Sequence, residues 1–173
     1  TLGEVLEQAQ EQDLDLMEME EGETASFIAT YASTTTDVSV TRGSCYYYSD
    51  YDLGSYLTYK YTVSFNNVTA TAYCIQPSKS SPGDGVFKIT RLGDGKKLAK
   101  VCYYGTKASG VNGFFKTEHP DFSAGKQFVI THLAVSYASG SDDAFSGANA
   151  TGQALAMELY NYCMAQPEIP DVA

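Results

Sequence analysis

The chain has 173 residues, enough for one domain, or one domain with two small lobes. A fold of this size hides roughly 70% of its unfolded surface, so neither a structural metal nor a disulfide net is needed to hold it. With 43% hydrophobic residues and no apolar run near the ~20 that a membrane helix requires, a membrane-spanning reading fails. The net charge of −10 argues against nucleic acid and anionic lipid as partners. That charge is unevenly placed, because nine of the 21 acids (Glu4, Glu7, Glu11, Asp13, Asp15, Glu18, Glu20, Glu21 and Glu23) fall in the first 25 residues. The rest of the chain is nearly neutral and shows no basic groove interleaved with aromatics.

Residues 1–25 read as an acidic lead-in, helical or extended, with Leu2, Val5, Leu6 and Ala9 at helical spacing and Leu14, Leu16, Met17 and Met19 nearer a period of two. Like charge resists compaction, so part of it is expected to be mobile. The opening decapeptide has no basic cluster followed by an apolar run, the pattern of a secretory leader. A single domain is expected over 26–173, β-rich across 26–92 and mainly helical across 93–166. Strands are predicted at SFIATYA, DVSVT, YLTYKYTVSFNNV and TATAYCI, all rich in Thr, Val, Tyr and Phe. In the third, Tyr59, Tyr61, Val63 and Phe65 alternate with Lys60, Thr62 and Ser64, which gives one apolar face. PSKSSPGDG is a loop, VFKIT a short apolar run, and RLGDGKKLAKVCYYG a turn leading into a short helix that ends near Gly105. A glycine-dotted connector spans Thr106 to Gly125. KQFVITHLAVSYASG fits either period and is assigned to helix, and Ser141 to Gly147 is loop. A helix from Thr151 to Ala165 is stopped by Pro167 and Pro170. Strands first and helices later predict an α+β fold, an antiparallel sandwich- or barrel-like layer with a helical lobe.

The cysteines at 45, 74, 102 and 163 contain no CxxC pair, and with only His119 and His132 beside them no metal site is expected. Disulfides remain open. Cys74 closes a strand beside a Pro- and Gly-rich loop, where a thiol is reachable, although a core cysteine fits the same text. Cys74 with His132 suggests a cysteine hydrolase or transpeptidase, but such enzymes seat the thiol at a helix N-terminus. His119, before Pro120, reads as a surface residue, and His132 on an apolar segment as a satisfied core histidine. Gln153 occupies the first turn of the last helix behind a flexible SGANATG, as a solvated position or as an amide open to close approach. Asn67 and Asn149 stand in Asn-x-Thr sequences, which matter only in a eukaryotic secretory protein.

Four segments together resemble the thioester domains of Gram-positive surface adhesins and pilus-tip adhesins: AYCIQPSKSSPGDGVF, LAKVCYYG, THLAVSYASG and TGQALAMELYNY, in matching order and spacing. The resemblance implies that the Cys74 thiol and the Gln153 side chain condense with loss of ammonia to an internal thioester at the junction of the strand layer and the helical lobe. It carries His132 as an accessory to proton transfer. It further implies a single-turnover covalent adhesin, not a catalyst, that needs no cofactor or metal and forms an amide with a lysine on a host surface or matrix protein. The domain would be a monomeric part of a larger protein anchored on the bacterial cell surface, with no nucleic-acid partner and no membrane insertion. A non-covalent protein- or carbohydrate-binding β module is the alternative, and the cysteine enzyme a second.

Overall fold

The computed structural model describes residues 15–21, 25–31, 37–65, 67–91, 96–105 and 113–169. Its strands are β1 (Asp15–Glu21), β2 (Ala25–Tyr31), β3 (Asp37–Tyr47), β4 (Leu57–Phe65), β5 (Val68–Cys74) and β6 (Gly85–Arg91), and its helices are α1 (Lys96–Gly105), α2 (Phe114–Glu118), α3 (Ala124–Ala138) and α4 (Ala150–Met164). A 3-10 turn, Tyr48–Tyr51, follows β3. The class is α+β, as the order of strand-like and helix-like text predicts.

All strand pairings are antiparallel and run β1-β2-β5-β4-β3-β6, with β6 pairing again to β1 so that the ladder closes on itself. β1 lies within the acidic segment, which is therefore extended over 15–21; the helical spacing of Leu2 to Ala9 falls outside the described residues. β4 and β5 form a hairpin whose turn includes Asn67 at φ 64, a left-handed conformation that asparagine tolerates.

Period-two alternation divides the apolar residues between two cores. Val38, Val40, Tyr61, Val63, Ala72, Cys74 and Phe87 fill the strand core. Tyr73 and Ile75, pointing the other way from β5, join Leu98, Val101, Phe114, Leu133 and Leu159 in the helical core. Cys74 is thus the last strand-core residue of β5, flanked on both sides by residues of the helical core. Residues 128–136 of α3 are buried on every face, which is why either period fitted that text. Phe128 stacks on Tyr73 at 5.3 Å between ring centroids and joins α3 to β5. Within the glycine-dotted connector, the short helix α2 was not foreseen.

Candidate functional site

The site is assembled where the end of β5, the middle of α3 and the α3–α4 connection meet. Cys74 is only 3% exposed, so of the two readings of its strand-end position the core cysteine holds and the reachable thiol does not. Its Sγ donates to the Gln76 carbonyl at 3.6 Å. Burial raises the thiol pKa, the Gln76 bond lowers it in part, and the Asp143 carboxylate raises it further. No disulfide joins any of the four cysteines. Deep burial pushes Cys102 and Cys163 up to about 12, so both belong to the inert core type.

His132 on α3 is 1% exposed. Its Nε2 lies 2.8 Å from the Tyr48 hydroxyl and its Nδ1 3.4 Å from Thr58 Oγ1. Burial lowers its pKa to about 4, against smaller upward effects of a hydrogen bond to the Cys74 backbone and the Asp143 carboxylate. The ring is neutral near pH 7. One turn further along α3, the Ser136 hydroxyl donates to the Cys74 carbonyl at 3.3 Å. Ser136 thus grips the backbone at Cys74 from α3, while the thiol itself is held by its own loop. Burial also raises the Tyr48 phenol well above its ordinary range, with Cys74 and Asp143 adding to the effect, so Tyr48 stays a neutral phenol.

The α3–α4 connection is fixed at two points. Asp143 accepts from the backbone N–H of Ser78 at 2.8 Å, from the Ser78 hydroxyl, and from the Ser141 hydroxyl at 2.6 Å. Partial burial works against its charge, but these hydrogen bonds prevail and hold the carboxyl below its usual value. At the other end, Asn149 N–H donates to the Leu53 carbonyl at 2.8 Å, Ser55 N–H donates to the Gly147 carbonyl at 2.8 Å, and Gly54 bridges to Ala148. Asn149 caps α4, its Oδ1 accepting from Gly152 N–H and its Nδ2 donating to the Asp52 carbonyl, both at 2.9 Å. Its Asn-x-Thr sequence thus carries a helix cap. Removing that side chain in Asn149→Ala should cost about 1–2 kcal/mol in a denaturant titration, with Asn149→Asp losing less because it keeps the acceptor.

Gln153 sits in the first turn of α4, exposed, with Nε2 donating to the Ala148 carbonyl at 3.3 Å. Gly152 before it is buried, and a Cβ there would lie 2.5 Å from the Leu53 carbonyl oxygen, so the glycine lets α4 start against the 3-10 turn. The structure brings Cys74 together with His132, and it places Cys74 and Gln153 at opposite ends of one pinned connection; among the described residues no hydrogen bond joins the two side chains. His119 is not the plain surface residue expected: it stacks on Phe122 at 4.3 Å and its Nε2 lies 3.0 Å from Glu158 Oε1. It stands apart from the Cys74 residues. Tyr48, Ser136 and Asp143 were missed from the sequence, because each acts through contacts 62 to 84 residues away or at a loop-to-loop tie.

The buried neutral His132 also fixes a pH dependence. Its folded pKa of about 4 lies below the unfolded 6.5, so the unfolded chain binds the extra proton first and stability falls as pH drops through that window. At about 1.4 kcal/mol per unit the loss amounts to a few kcal/mol by pH 4. Urea midpoints measured from pH 7 to pH 4.5 should fall steadily, and His132→Gln should flatten the slope. Asp143, held low, extends the same trend only at more acidic pH.

A family model described as a thioester domain matches residues 37–170, from the start of β3 to the segment beyond α4, and so spans Cys74, His132 and Gln153. No curated protein and no solved structure matches the chain.

Proposed function

The chain belongs to the thioester-domain family, and from that membership we propose that Cys74 and Gln153 form an internal thioester that a partner's lysine amine opens. The observation that carries this reading is the family match itself, which spans both residues and the connection pinned between them. In the first step Cys74 Sγ attacks Gln153 Cδ. The carbon–sulfur bond forms, the carbon–nitrogen bond of the amide breaks, and ammonia leaves with the thiol proton. In the second step an amine attacks the same carbon; an amide forms, the carbon–sulfur bond breaks, and the sulfur recovers a proton.

The environment of Cys74 suits such an acyl carrier. Burial and the Asp143 charge both disfavour a thiolate, whereas a thioester is neutral and loses nothing by being covered. Asp143 also repels hydroxide, which slows hydrolysis. A primary amide is a poor acyl donor, so placement must supply most of the drive, and well-oriented reactants can lower a barrier by ~7–11 kcal/mol. Ser136, holding the Cys74 backbone from α3, serves that placement; His132, one turn earlier on the same helix, acts as a positioning residue, with Tyr48 fixing its ring.

The protein on this reading is a single-turnover covalent adhesin domain displayed on a bacterial cell surface, of the kind carried by Gram-positive adhesins and pilus tips, with the strand layer and helical lobe meeting at the bond. Its partner is a host surface or matrix protein that presents a lysine. A second reading, a non-covalent binding module, is favoured by the Gln153 amide bonding the Ala148 carbonyl rather than meeting Cys74. Incubation with methylamine separates them. The adhesin gains one methylamine per chain, mapped by peptide sequencing to Gln153; uptake elsewhere, or none, overturns the covalent reading.

A further inference from the structure

Next to the loop that follows Cys74, a groove of about 520 Å³ opens between that loop and the paired strands β3 and β4. One wall begins at Pro77, three residues past Cys74, and continues through Lys79. The other consists of Arg42, Tyr56, Leu57 and Tyr59. The loop wall is held in place: Tyr61 donates to the Pro82 carbonyl at 3.1 Å, Asp84 accepts from Arg42 N–H at 2.7 Å, and Ser78 is tied to Asp143. Tyr56 and Leu57 are 41% and 36% exposed, large apolar side chains left uncovered at the rim. The Tyr56 ring lies 6.5 Å from that of Tyr48, the partner of His132, so the groove abuts the site.

Its charge is opposite to that of the chain. Arg42 and Lys79 line it, no carboxylate does, and among the described residues neither cation is in an ion pair. The Arg42 guanidinium lies over the Tyr59 ring at 4.7 Å, and the nearby Asp84 binds the Arg42 backbone rather than its side chain. The backbone of acidic β1 is three strands from β4 in either direction round the ladder, the greatest separation the order allows. Unpaired cations beside uncovered aromatic surface suit an extended peptide carrying carboxylates.

We infer that this groove is the docking site for the partner, and that it selects an extended protein segment in which acidic residues flank the reacting lysine. The inference rests on the thioester reading and adds the partner's chemistry to it. Docking concentrates the amine beside the bond and leaves the chemical steps unchanged, so a small amine that bypasses the groove reacts as before.

The test uses two N-acetylated peptides with one lysine each, flanked by aspartates in one and arginines in the other, with methylamine as the groove-independent reference. At low salt the acidic peptide should be incorporated about tenfold faster than the basic one, a gap that narrows as salt is raised. Lys79→Glu on the exposed loop, and separately Arg42→Glu, should reduce or invert that preference while methylamine uptake stays at the wild-type rate. Equal rates for the two peptides on the wild-type protein, or a preference unmoved in both variants with methylamine uptake intact, would overturn the groove assignment alone. Absence of methylamine uptake by the wild-type protein would overturn the thioester reading, and the docking role with it.

Discussion

Cys74→Ala and Gln153→Ala are each expected to abolish methylamine incorporation, while Gln166→Ala leaves it intact. The first removes the sulfur that carries the acyl group and the second the acyl carbon that sulfur and amine attack in turn, so neither defect is partial. Gln166 lies past α4, where its Nε2 donates to the Tyr162 carbonyl at 3.1 Å and its own carbonyl accepts from Lys100 Nζ at 2.8 Å. It marks a glutamine with no part in the chemistry. Because Gln153 is exposed and Cys74 packs as a small core residue, both variants should stay folded, with the cysteine change costing about 1–2 kcal/mol of lost contacts. A cysteine enzyme would separate the two variants: it would fail with Cys74→Ala and survive Gln153→Ala.

Gly54→Ala should cause the largest loss of stability of any glycine-to-alanine change among the described residues. Gly54 has φ +149, a backbone that L residues rarely adopt, and a Cβ there would stand 1.9 Å from the Gly147 carbonyl oxygen. Strain of about 1–3 kcal/mol adds to overpacking of similar size, a total of roughly 2–6 kcal/mol. The contact that must give way is the bridge between Gly54 and Ala148, whose carbonyl accepts from the Gln153 amide. Methylamine uptake by the folded fraction should therefore fall along with the denaturation midpoint. Preserved uptake in a destabilised Gly54→Ala protein would show that the bridge supports the fold without placing Gln153.

Much of the framework was legible because it rests on local periodicity. Tyr61 and Val63 face the strand core as alternation in YLTYKYTVSF predicts, and α4 begins and ends within a residue of the predicted Thr151 and Ala165. The first strand was half-seen: period two around Leu14 to Met19 marks β1, but a run of like charge gave no ground for placing it in the sheet. The 3-10 turn at Tyr48–Tyr51 was not seen at all, since its role comes from Tyr48 reaching His132, 84 residues away. His132 was read as a satisfied core histidine, and its burial agrees; what satisfies it is a tertiary fact that no spacing contains. Asp143 looked like one more loop acid until the Ser78 tie placed it beside Cys74. Gly152 was read only as part of the lead-in that leaves the Gln153 amide open, and the Leu53 carbonyl 2.5 Å from its absent Cβ supplies a packing reason as well.

The central claim is a covalent bond between two side chains, and the intact mass of the freshly prepared, denatured protein in amine-free buffer tests it most directly. The account predicts a mass below the sequence value by one ammonia, which gains one methylamine after incubation with that amine and so ends above the sequence value by one CH2. A mass equal to the sequence value in such material, unchanged by methylamine, would contradict it and leave a domain that binds without forming a bond.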